Sequence, residues 1–152
     1  MGVIETIFSS WSPRVRRLHR LAAIAGESER LAASLKHHAE MCDFPALKAG
    51  IETAALAEAA DAKVLRTALL ERDVWPALPA AAVGEGANQW ARINSDLNAE
   101  VELIRALNLA VAEWEGVEPA IAERLRLLAE GKHGTLGILR DLGLRCDPQA
   151  LD

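Results

Sequence analysis

The chain has 152 residues, of which 51% are hydrophobic and 4% aromatic with no Tyr, and it carries a net charge of −5. That length suits one domain with one core, here residues 1–152 with a helical part over about 12–142. The acidic balance argues against nucleic acid as the main partner, and no apolar run reaches membrane-spanning length.

Ala and Leu dominate the apolar set, which favours helix over sheet. Met1–Trp11 has neither a basic start nor a long apolar run, so no secretory signal is expected there. Ser12-Pro13 opens the first helix with a capping hydroxyl and a Pro in the first turn. Its cluster Arg14, Arg16, Arg17 and Arg20 reads as a solvated face. Asp43-Phe44-Pro45 interrupts the pattern and starts a second helix. Trp75–Gly86, with Pro76, Pro79, Gly84 and Gly86, reads as a loop. Asn88 caps a third helix that ends near Gly116, and Glu118-Pro119 opens a fourth that fades near Gly143. The predicted helices are 13–42, 45–74, 88–115 and 119–142, each about 40 Å long at 1.5 Å per residue. The expected fold is therefore an all-α four-helix bundle of up-down pairs. Its middle connection either turns back locally or crosses along the bundle. Cys42 and Cys146 form no CxxC motif and read as two free thiols of a cytoplasmic protein.

The residues that point to chemistry are acids placed among apolar ones. At 100° per residue, Leu47, Ile51, Ala54, Ala62, Leu65 and Leu69 form one stripe of the second helix, with Glu58 at its centre and Asp61 at its edge. On the third helix Ile93, Leu97, Leu103, Ile104, Leu107, Val111 and Trp114 form the stripe, with Glu100 at its centre and Asp96 beside it. A buried carboxylate costs several kcal/mol unless it is paired, hydrogen-bonded or bound to a metal. Two readings follow: a cation site shared between facing helices, or neutralisation by a buried base or water. Glu27 lies on the edge of the first helix's apolar face, with His38 on the same side. On the fourth helix, Glu130 and His133 share one face. The stripe of Ile121, Leu125, Leu128, Leu136 and Leu139 lies on roughly the opposite side and takes Lys132 inward. Gly131, Gly134 and Gly137 weaken this helix, and a π-bulge among them would rotate Glu130 and His133 towards the core. In a regular helix, Lys132 meets Glu58 and Glu100 instead.

These segments resemble the ferritin-like superfamily, in particular rubrerythrins and bacterioferritins. Ala25-Gly26-Glu27-Ser28 is similar to the rubrerythrin first-helix motif. Glu58-Ala59-Ala60-Asp61-Ala62-Lys63 is similar to the second-helix Glu-x-x-His motif, with Asp61 where His is expected. Ser95-Asp96-Leu97 followed by Glu100 is similar to the third helix of bacterioferritins. The resemblance implies a carboxylate-bridged iron centre, di-iron or manganese-containing, with Glu58 and Glu100 bridging. Glu27, Asp61, Glu130 and His133 would be terminal ligands, and the activity Fe(II) oxidation or the handling of oxygen or peroxide. The alternative is a metal-free bundle, an interaction or scaffold protein in which Lys132 neutralises the core acids. Association into a homo-oligomer through Trp11, Trp75 or Trp90 is a further expectation by analogy.

Overall fold

A computed structural model describes residues 12–75 and 86–146 of the chain. The expectations for Met1–Trp11, for most of the loop after Trp75 and for the tail beyond Cys146 fall outside these residues. Four helices make up the fold: α1 (Pro13–Glu40), α2 (Pro45–Leu70), α3 (Gln89–Glu115) and α4 (Pro119–Cys146). No strand occurs among the described residues, and none of their helices is long and apolar enough to cross a membrane.

The ends follow from local chemistry. The Ser12 hydroxyl accepts from the Val15 N–H at 3.3 Å, and Asn88 Oδ1 accepts from the Ala91 N–H at 2.9 Å; each satisfies a donor that the first turn leaves open. α2 stops at Leu70, short of the expected 74. Asp73 takes the left-handed conformation (φ 58°), and the Val74 N–H returns to the Leu69 carbonyl at 3.0 Å, closing the helix with a Schellman-type cap. α4 runs past the expected end at 142. Gly143 is buried in the interface, where a Cβ would stand 3.7 Å from Ile93, so it packs against α3 without ending the helix.

α1 packs on α2 and α3, and α4 packs on α3 and α2. α1 and α3 are antiparallel, since Arg20 pairs with Glu113 at one end and Ser34 reaches Asp96 nearer the other. α2 and α4 are antiparallel too. Gly50 lies so close to Leu142 that a Cβ there would stand 2.9 Å from its methyl group, while Arg72 pairs with Glu118 at the opposite end. α2 and α3 therefore run parallel across a diagonal, and residues 71–88 join opposite ends of the bundle. Of the two paths open to this connection, the positions of its ends select the crossover.

Leu21, Leu35, Ile51, Leu65, Leu69, Ile93, Leu107, Ile121, Leu125 and Leu139 fill the interior. Buried Trp114 closes one end, with the guanidinium groups of Arg17 and Arg72 lying 5.6 and 6.0 Å from its ring centre. Among these apolar side chains lie buried polar ones, with Ser28, Glu58, Glu100 and Lys132 near mid-length.

Candidate functional site

Glu58, Glu100 and Lys132 are each fully buried. Lys132 Nζ lies 2.5 Å from Glu58 Oε1, 3.3 Å from Glu100 Oε2 and 3.4 Å from Asp61 Oδ2. From α1, the Ser28 hydroxyl donates to Glu58 Oε2 at 3.2 Å. All four helices thus contribute to one cluster: a hydroxyl from α1, two carboxyl groups from α2, one from α3 and an ammonium from α4.

Lys132 reaches the centre because α4 stays regular through its glycines. Its buried face runs Leu125, Leu128, Ala129, Lys132, Thr135, Leu136 and Leu139 without a break in helical period. No π-helical residue interrupts it. Gly131, Gly134 and Gly137 all lie where an added Cβ would meet nothing within 4 Å. Glu130 and His133 fall on that same outer side and are exposed. Glu27 is exposed as well and pairs with Arg30. The apolar stripe of α1 runs Leu21, Ile24, Ser28, Leu31, Leu35, His38, with Ser28 taking the inward position that the resemblance gave to its neighbour. Of the six expected metal ligands, the fold brings Glu58, Asp61 and Glu100 together and leaves Glu27, Glu130 and His133 outside.

The cluster holds more acid than base, and its protonation reflects that. Burial, the neighbouring Glu58 charge and a hydrogen bond to Glu58 push Glu100 up to about 8, and Lys132 offsets only part of this. Burial and the Glu58 charge thus favour the protonated form of Glu100 over its carboxylate. Glu100 Oε1 is buried without a hydrogen-bond partner among the described residues. Burial raises Asp61 as well, only partly offset by Lys132. For Lys132, burial alone would lower the pKa, but Glu58, Glu100 and Asp61 outweigh it and hold the ammonium above its ordinary value.

A second polar cluster lies one helical turn along α3. Asp96 Oδ1 accepts from the Ser34 hydroxyl at 2.9 Å, and Asp96 Oδ2 faces His38 Nδ1 at 2.5 Å. All three residues are buried. The pattern reading noted Asp96 and His38 separately but did not join them. The available signal was the α1 stripe, whose regular spacing takes Ser28 and His38 inside together.

The donor set can be tested against a metal ion. Divalent iron or manganese would need the carboxylate oxygens to converge on a point near 2 Å from each, with further donors completing the shell. Here the oxygens of Glu58, Asp61 and Glu100 converge on Lys132 Nζ. Among the described residues, no three His, Cys, Asp or Glu side chains are disposed to hold a metal ion. With Lys132 in this position, the residues do not fit such a group. No protein-family profile matches the chain, and no curated protein matches it in sequence.

Proposed function

We infer that this chain is a ferritin-like bundle whose interior acids are neutralised by a tethered cation, Lys132, and that it serves as a non-catalytic interaction or scaffold protein. The observation that carries this reading is Lys132 Nζ in contact with Glu58, Asp61 and Glu100. Support for the ferritin-like part comes from the parallel diagonal of α2 and α3 with its single long crossover, the connectivity of that fold class, and from acids at mid-length on facing helices. Exposed Trp75, Leu56 and Leu109 offer apolar surface for a partner chain or a second copy.

The other reading keeps Glu58, Asp61 and Glu100 as ligands to iron or manganese in a protein that oxidises Fe(II) or handles oxygen species. It requires Lys132 to leave the cluster. Glu100 Oε1 is the atom that favours it, since an unpartnered buried oxygen suits a ligand as well as it suits a proton.

Elemental analysis of tag-free protein, combined with urea melts of metal-stripped variants, separates the two. Under the tethered-cation reading the protein carries no stoichiometric metal. Glu58→Leu with Glu100→Leu then leaves Lys132 only the partly exposed Asp61, and the double variant loses stability until Lys132→Leu is added. Under the metal reading the protein carries metal, the double variant loses it, and the stripped double variant is at least as stable as stripped wild type. Replacing a buried charged cluster by apolar groups is often neutral or stabilising, by about 1–4 kcal/mol.

A further inference from the structure

The antiparallel register of α2 and α4 has a consequence at the end of the bundle away from Trp114. Lys132 lies against Glu58, and one stretch further on Leu142 lies against Gly50. Cys146 follows Leu142 by one helical turn, on the same face. The same register sets it level with Pro45, where the turn from α1 enters α2. Cys42 occupies that turn, and its thiol donates to the Phe44 carbonyl at 3.6 Å.

Both side chains pack against the same apolar cluster, Cys42 buried within it and Cys146 at its half-buried margin. Burial raises the Cys146 thiol above its ordinary range, and the charge of a Cys42 thiolate adds to this. Both thiols are free here, and each lies at the end of an element, where backbone adjustment costs least.

We propose that Cys42 and Cys146 are partners in a reversible intrachain disulfide that ties the α1–α2 turn to the last turn of α4. The oxidant is a small disulfide of the glutathione class. Cys146, the more accessible sulfur, attacks as its thiolate; one S–S bond breaks and one thiolate leaves, giving a mixed disulfide on Cys146. The Cys42 thiolate then attacks the Cys146 sulfur, forming the Cys42–Cys146 bond and expelling the second thiolate. The two protein thiols lose two electrons and two protons, and the oxidant takes up both as two thiols. The ring so closed contains most of the chain, the case in which a crosslink restricts the unfolded state most.

The test treats the folded full chain with oxidised glutathione and then maps disulfides by alkylation and peptide mass analysis. The expected product is a monomer with no alkylatable thiol, a linked Cys42–Cys146 peptide pair and a melting temperature raised by roughly 5–10 °C over the reduced form. Cys146→Ser and Cys42→Ala, compared with and without oxidant, show no such rise. Two thiols still alkylatable after treatment, glutathione retained as a stable mixed disulfide, or links only between chains would each overturn the pairing. All three are read on wild-type protein, so the proposal does not depend on either variant folding.

Discussion

The two polar clusters of the interior lie one turn apart on α3 and solve the same problem differently. Asp96 meets one base and one hydroxyl, His38 and Ser34, and each of its oxygens has a partner. Glu100, four residues on, shares a single ammonium with Glu58 and Asp61, and burial together with the neighbouring Glu58 charge pushes it towards its protonated form, which Lys132 offsets only in part. Apart from the partly exposed Asp61, the members of both clusters are buried. The partners set what each acid does: the balanced cluster, with a partner for each Asp96 oxygen, is a structural tie, and the unbalanced one is held together by one residue.

The largest effect should come from removing that residue. Lys132→Leu leaves the buried Glu58 and the partly exposed Asp61 without a cation and should cost about 3–5 kcal/mol in urea melts, as for other broken buried pairs. A loss near zero would mean the cluster is not held by its ammonium. The next effect is pH dependence. Burial and Glu58 push Glu100 up to about 8 in the folded chain, against an ordinary 4.5. Between these values the folded chain keeps a proton that the unfolded chain releases. Stability should therefore fall as pH rises through the window, by an amount on the order of a few kcal/mol. Glu100→Gln should flatten that slope, leaving the part due to Asp61, whose raised pKa acts in the same direction. Lys132 bounds the alkaline side: its raised value keeps its contribution below the ordinary lysine range and loses it only above the folded one. The smallest of the three effects is at the balanced cluster. Asp96→Ala strips His38 and Ser34 of their shared acceptor and should cost about 1–3 kcal/mol, the penalty of buried groups left unpaired. An Asp96→Ala variant as stable as wild type would show that His38 and Ser34 do not depend on that acceptor.

Most of the fold could be read from residues that act locally. Pro13, Pro45 and Pro119 mark helix starts because the ring suits a first turn whose N–H has no partner. Period alone locates Glu58 and Glu100 at the centres of their stripes, and Lys132 follows wherever α4 is regular. Two things could not be read so directly. Gly131, Gly134 and Gly137 suggested a distorted helix, but a glycine costs only about 1 kcal/mol in a helix interior, and the apolar stripe beside them holds the turns in phase. The His38–Asp96 pair joins residues 58 positions apart, and the period on each helix says which way a side chain points without saying which residue of another helix will stand opposite.

The crossover makes the molecule a pair of helical hairpins, α1–α2 and α3–α4, and this shapes its route to the folded state. Each hairpin closes a short loop and gathers local contacts, the kind that form early. Lys132–Glu58, with a separation of 74, and His38–Asp96 both bridge from one hairpin to the other, so neither pair exists before docking. A docking slipped by one turn would bury Glu58 away from Lys132 and Asp96 away from His38, at a cost of several kcal/mol for each uncompensated charge. Leucine stripes tolerate such a slip far better, because one apolar turn resembles the next. The interior charges therefore penalise a misaligned docking of the hairpins far more than the leucine stripes do, and so help to specify one register.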